Sequence, residues 1–76
     1  MADLDTKLLR GFVSVAETGS MTRTAHDMRQ TQGAVSQQIK RLEAILGQPL
    51  FLRSGSGLAL TAAGQDFLPS AKDIIT

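Results

Sequence analysis

The sequence contains no cysteine, no tryptophan and no tyrosine, and only three phenylalanines among its 76 residues. Without cysteine there are no disulfide bonds, thiolate metal ligands or thiol nucleophiles, which suits a reducing cytoplasm. The single histidine, His26, cannot form an ordinary zinc site alone. No apolar run reaches the length of a membrane span, and the acidic start of the chain lacks the apolar core of a signal peptide. We expect a soluble protein without a metal or other cofactor.

The length of the chain supports one small domain. A domain of this size buries roughly 60% of the surface that its unfolded chain exposes, so its core is marginal. It offers little room for a substrate pocket. A Ser–His–Asp arrangement around His26 and Asp27 is combinatorially possible, but we do not expect an enzyme.

Positive charge is concentrated in the middle of the chain. The net charge is only +1, but residues 29–57 carry four basic residues against one acidic residue, Glu43. These four residues could form one basic face, as in nucleic-acid-binding domains. Four basic residues in such a stretch are not rare, so charge alone also fits an ordinary surface. The residues are Arg29, Lys40, Arg41 and Arg53.

Apolar spacing predicts a first helix that starts near Asp5 and ends at Gly19. Asp5 can cap the first turn, and Gly19 can adopt the left-handed conformation that ends a helix. Apolar residues recur every three or four positions, which marks one buried face. They are Leu4, Leu8, Leu9, Phe12, Val13 and Ala16.

Two further helices, separated by a three-residue turn, are predicted between Ser20 and Gly47. Ser20 can cap a short helix over residues 21–28, and Thr31 can cap a longer one that runs to Leu46. Gly47 and the following Pro49 end that helix. The predicted inward face of the longer helix is Val35, Ile39, Leu42 and Leu46.

Beyond Gly47, the pattern predicts a short hairpin and a final helix. Residues 50–53 and 58–61 read as strands joined by a flexible Ser-Gly-Ser-Gly loop. Thr61 can cap the final helix, in which Pro69 should produce a kink. That helix carries more apolar residues than a solvated tail would. These residues either pair with another helix or pack back onto the core of their own domain. They are Phe67, Leu68, Ala71, Ile74 and Ile75.

The face of the third helix opposite its apolar stripe is small or hydrogen-bonding. A helix-turn-helix inserts the start of its second helix into the major groove, where Gln can bond to adenine and Lys to guanine. Periodicity and caps alone fit equally well a helical bundle whose polar face is merely solvated. The residues of this face are Gln32, Gly33, Ser36, Gln37 and Lys40.

An ordered set of short motifs resembles the N-terminal domain of LysR-type transcriptional regulators. The set begins with LRGFVSVAETGS and QGAVSQQI, continues with RLE, LG and LFLR, and ends with LTAAG. The resemblance covers nearly the whole chain. It implies a mainly α winged helix-turn-helix with a three-helix core, a two-stranded wing and a trailing linker helix. Residues 1–61 would be the DNA-binding domain and residues 62–76 the start of the linker helix.

The resemblance also implies roles for individual positions. Gln32, Ser36 and Gln37 match positions that read base edges, with Gly33 and Lys40 beside them. The wing Arg53 matches an arginine at or beside the minor groove, although it could be simply a charge at a hairpin end. The other residues expected at the DNA backbone are Thr22, Arg23, Arg29, Thr31 and Arg41.

The sequence departs from the family pattern at two places. Gly33 stands where the family often has proline or serine. The wing carries Ser54, Ser56, Leu58 and Ala59 where further basic residues are common. Because fewer cations face the DNA, a single domain should bind weakly. If all four basic residues of the middle segment meet phosphate, its affinity should fall with added salt by a slope of roughly −0.9 for each contact.

The expected partners follow from the same resemblance. They are double-stranded DNA and a second copy of the chain, paired through Phe67, Leu68, Ala71, Ile74 and Ile75 of the linker helix. A small-molecule effector would bind only a C-terminal domain outside this sequence. The location would be the bacterial cytoplasm, at the nucleoid. The main alternative is a winged-helix protein-interaction module that never touches DNA.

Overall fold

This computed structural model describes residues 5–55 and 57–75. Within them the chain forms four helices and a two-stranded antiparallel sheet. Leu4, predicted to face the core, lies outside the described residues. The mainly α architecture predicted from the sequence is confirmed. In chain order the elements are α1 Thr6–Thr18, α2 Met21–Asp27, α3 Gln32–Leu46, β1 Phe51–Ser54, β2 Gly57–Leu60 and α4 Ala62–Ile75.

The ends of α1 show why this segment is a helix. The Asp5 side chain accepts a hydrogen bond from the Lys7 backbone N–H at 2.9 Å, which satisfies one of the unpaired amides of the first turn. Gly19 ends the helix in the left-handed conformation, with φ 69°. Both ends of α1 confirm the prediction.

The core forms where α1, α3 and the start of the hairpin meet. Leu9, Phe12, Val35, Leu42 and Leu50 are almost completely buried. Their helical members lie on the predicted apolar stripes of α1 and α3, so amphipathic periodicity accounts for the packing of these helices.

Each strand of the hairpin lies one residue closer to the turn than predicted, so β1 ends at Ser54 and β2 begins at Gly57. Phe51 pairs with Leu60, and Ser54 pairs with Gly57. Only residues 55 and 56 therefore separate the strands. Side chains alternate across the sheet: Phe51 is half-buried, whereas Leu52 is 58% exposed.

Helix α4 packs back onto the domain, chiefly against α1. It is assigned as one helix through Pro69, which has no backbone N–H to donate to the Gln65 carbonyl. Phe67 stacks at 5.5 Å between ring centroids on Phe12, and Lys72 lies 3.3 Å from Glu17 of α1. Residues 62–75 therefore share the core of the preceding residues.

The position of Ala71 corrects one prediction about the dimer contact. Ala71 is fully buried in the core of its own domain, so it has no surface to offer a partner helix. Phe67, Leu68 and Ile75 are partly buried against the same core. Of the five apolar residues, only Ile74 is substantially exposed, at 51%.

No helix among residues 5–55 and 57–75 is long and apolar enough to cross a membrane.

Two helical glycines provide a matched test of this packing. A Cβ on Gly64 would overlap the Leu50 carbonyl oxygen and lie 2.8 Å from Leu60 Cδ2, whereas a Cβ on Gly33 would meet nothing within 4 Å. We expect Gly64→Ala to lower the free energy of unfolding by about 1–3 kcal/mol. Gly33→Ala should leave it unchanged or raise it by up to about 1 kcal/mol. Urea unfolding followed by circular dichroism measures both, and equal effects would contradict the close approach at Gly64.

Candidate nucleic-acid interface

The first turns of α2 and α3 are both held by capping side chains. The Ser20 hydroxyl accepts from the Arg23 N–H at 3.0 Å, and the Thr31 hydroxyl accepts from the Ala34 N–H at 3.0 Å. Both caps confirm the prediction. Because the caps set where each helix begins, they fix the positions of the exposed residues in both first turns.

The turn between α2 and α3 depends on an arginine in a conformation that favours glycine. Arg29 has φ 56°, and the N–H of Gln30 bonds back to the Ala25 carbonyl at 2.8 Å. This is the Schellman arrangement, in which a left-handed residue ends a helix. The conformation costs a residue with a side chain about 1–2 kcal/mol. It leaves the Arg29 side chain exposed beside the start of α3.

Two polar contacts hold the helix-turn-helix together from inside. The hydroxyl of Thr24, fully buried in α2, lies 2.9 Å from the Ser14 hydroxyl of α1. The amide of Gln38 in α3 donates to Gln30 in the turn at 2.7 Å. These contacts link α2 to α1, and α3 to the turn that precedes it.

The wing is attached to α3 by one carboxylate. Glu43 Oε2 accepts from the backbone N–H of Leu50 at 2.7 Å and of Phe51 at 3.4 Å. Both donors lie at the start of the hairpin and would otherwise be unpaired. Glu43 therefore sets the position of β1 relative to the exposed face of α3.

The residues predicted to read bases share one accessible face of α3. Gln32, Gly33, Gln37 and Lys40 are exposed, and Ser36 is half-buried. The structure brings all five together at the N-terminal end and middle of the helix. None of them is buried in the core.

The residues predicted at the DNA backbone are also exposed, but they are not equivalent. Arg23 lies 3.6 Å from Asp27, one helical turn further along α2. Such an exposed pair contributes little to stability, but it partly neutralises the positive charge of Arg23. The remaining exposed members are Thr22, Arg29, Thr31, Arg41 and Arg53.

A concave surface lies on each side of α3. On the wing side, Arg53 and Leu58 face Met21, Gln32 and Ser36 across a shallow groove. A second groove lies between α3 and the N-terminal end of α1. The residues lining it include Asp5, Lys7, Gln37 and Arg41. The polar face of α3 therefore has a cation in each flanking groove.

Lys7 is a candidate contact that the sequence reasoning missed. Its position in α1 gives no indication that it lies near Gln37 and Arg41, because the proximity arises from the packing of α1 against α3. The sequence indicates only that Gln37 and Arg41, one helical turn apart, lie on the same face of α3.

Within residues 5–55 and 57–75 there is no group of three or more His, Cys, Asp or Glu side chains placed to hold a metal ion. The side chain of His26 is 86% exposed, 3.7 Å from Asp27.

A core of three helices, of which α2 and α3 form a helix-turn-helix, and a two-stranded wing define a winged helix-turn-helix domain. Residues 6–65 match the family model described as "Bacterial regulatory helix-turn-helix protein, lysR family", and the chain belongs to this family.

Individual family members are similar over nearly the whole chain. The HTH-type transcriptional regulator DgdR of Burkholderia cepacia is 47% identical over 72 residues, which are 95% of this chain and 24% of that protein. The chain therefore spans about a quarter of the length of such relatives.

The fold is shared with solved structures of complexes with DNA. A crystal structure of a CbnR DBD–DNA complex has a TM-score of 0.89 at 39% identity, over 95% of this chain and 83% of that one. A BenM DBD/catB site 1 DNA complex has a TM-score of 0.89 at 32% identity, over 95% and 81%.

Removal of the Glu43 carboxylate tests how the wing is held. Glu43→Ala leaves two backbone N–H groups without their acceptor, and we expect a loss of about 1–3 kcal/mol in the free energy of unfolding. Glu43→Gln keeps an acceptor oxygen and should lose less. Urea unfolding gives the stabilities, and amide hydrogen exchange at Leu50 and Phe51 should become faster in Glu43→Ala. Unchanged exchange at these two amides would contradict the assigned role.

Proposed function

We propose that this chain binds double-stranded DNA sequence-specifically, as the DNA-binding domain of a bacterial LysR-type transcriptional regulator. The observation that carries the proposal is the exposed hydrogen-bonding face of α3, with cations in the grooves on both sides. The complexes of CbnR and BenM with DNA, which share this fold, support it. In this proposal α3 enters the major groove and the wing lies near the minor groove.

The base-reading part of the interface is the exposed face of α3. Gln37 and Lys40 carry hydrogen-bonding groups that can distinguish the donor and acceptor patterns of base pairs in the major groove. Ser36 can bond to several base edges. Gly33 has open space around it, so the helix backbone can approach the DNA closely there.

The phosphate-binding part surrounds that face. Arg53 lies on the wing side, and Arg41 with Lys7 lies on the α1 side. A helix in the major groove has one phosphate backbone on each side, so these two groups of cations would contact opposite strands. The Thr31 hydroxyl and the amides at the start of α3 supply a further phosphate contact.

Family membership supports a proposal for the wider assembly. Two copies of the chain would bind two symmetric half-sites and pair through α4, with Ile74 as the exposed apolar contact. Effector binding and transcriptional control would involve parts of the regulator outside these residues. The protein would act in the cytoplasm, on the nucleoid, without a catalytic role.

Selection from a random duplex library tests the proposal directly. The domain should enrich a site with two symmetric halves. Affinity for that site should fall steeply with salt, with a slope of roughly −0.9 for each phosphate contact. If a folded domain enriched no sequence at low salt, the proposal would be wrong and a protein-interaction module would be favoured.

Two substitutions separate base reading from phosphate binding. Gln37→Ala should cost roughly 1–3 kcal/mol of discrimination at one base position in each half-site. Arg53→Ala should weaken all sequences alike and reduce the salt slope by about 1. Competition binding on the selected site and its single-base variants, repeated at several salt concentrations, measures both effects. An unchanged preferred sequence in Gln37→Ala would refute the assignment of α3 as the recognition helix.

The dimer contact has its own test at Ile74. Ile74→Glu places a charge in the proposed interface, and we expect it to weaken binding to a duplex with two half-sites by about tenfold or more. Binding to one half-site and folding should be retained, because Ile74 is half exposed in the single chain. Gln65→Glu adds the same charge at another exposed position of α4 and serves as the control. Equal cooperativity in the two variants would exclude pairing through Ile74.

A further inference from the structure

One side-chain contact joins the first turns of the two helices of the helix-turn-helix. The Thr22 hydroxyl of α2 donates a hydrogen bond to Gln32 Oε1 of α3 at 3.2 Å. Both side chains are exposed on the face proposed to meet DNA. The Ser20 and Thr31 caps hold the two backbones that carry them, so the contact joins two fixed positions.

This contact makes the two ends of the Gln32 amide unequal. A free glutamine side chain can rotate to offer either its carbonyl oxygen or its NH₂ group to a base. With Oε1 held by the Thr22 hydroxyl, the NH₂ group is the end left without a protein partner among the described contacts. In this arrangement Gln32 presents its NH₂ group, a hydrogen-bond donor, to the solvent-exposed face.

A fixed donor discriminates among bases in the major groove. Guanine, adenine and thymine each present an acceptor there, whereas cytosine presents only the donor N4–H₂. Two donors cannot pair, so cytosine opposite the Gln32 NH₂ group leaves both unsatisfied.

We propose that Thr22 is a positioning residue for specificity: by holding Gln32 Oε1, it makes Gln32 reject cytosine at the base that Gln32 reads. The inference rests on the proposed function, because it requires α3 in the major groove. It also assigns Thr22 a role other than phosphate binding. A hydroxyl has one hydrogen, so Thr22 cannot donate it to Gln32 and to a phosphate at once.

The test is library selection with the 76-residue protein and three single variants. Gln32→Ala identifies the position that Gln32 reads, where cytosine should be depleted with the unsubstituted protein. Thr22→Val keeps the shape of the side chain without its hydroxyl, and it should reduce cytosine rejection at that position by about fivefold or more. Thr22→Ser restores a hydroxyl and should retain the rejection.

A double substitution distinguishes positioning from independent contacts. In the Gln32→Ala background, Thr22→Val should have no further effect on base preference, because the group that it positions is gone. The salt slope of Thr22→Val should equal that of the unsubstituted protein. Circular dichroism should show the same helix content for all variants, since Thr22 and Gln32 are exposed.

Each other outcome overturns the inference. A loss of affinity in Thr22→Val that is equal for all sequences, with a smaller salt slope, would make Thr22 a phosphate contact. Unchanged cytosine rejection, or its absence with the unsubstituted protein, would show that the contact does not determine specificity. If the unsubstituted protein enriched no site at all, the proposed function itself would have failed.

Discussion

Phe12 lies between the only two other aromatic side chains of the protein, with its ring centroid 5.5 Å from Phe51 and 5.5 Å from Phe67. Phe51 belongs to the wing and Phe67 to α4, so one buried side chain of α1 connects both to the three-helix core. Aromatic pairs at such distances stabilise beyond the apolar area that they bury. In a domain with so few aromatics, the positions of the wing and of α4 depend on this cluster.

The parts of the fold that sequence predicted well are those specified by local interactions. Asp5, Ser20 and Thr31 cap helices because each accepts a bond from an amide two or three residues later. Gly19 and Gly47 end helices because their own φ angles are positive. These signals lie within one helical turn, so the sequence alone contains them. The exposed face of α3 followed from its periodicity in the same way.

The parts that sequence predicted poorly depend on contacts between distant segments. The bounds of both strands differ by one residue from the prediction because strands of four residues give a weak signal of where they begin and end. Lys7 joins the surface beside Gln37 only through the packing of α1 against α3. The contact between Thr22 and Gln32 likewise requires the angle between two helices. Sequence periodicity describes which face of an element is buried, but not which element covers it.

Ala71 belongs to the buried core although it lies outside the range that the family model covers. The family model covers residues 6–65, which include every residue proposed to meet DNA. Phe67 and Ala71 lie beyond that boundary, and they close the face of the core around Phe12. The segment that defines membership of the family is thus shorter than the segment that can bury its own apolar surface. The residues that match the family model and the residues that enclose the core are therefore different sets.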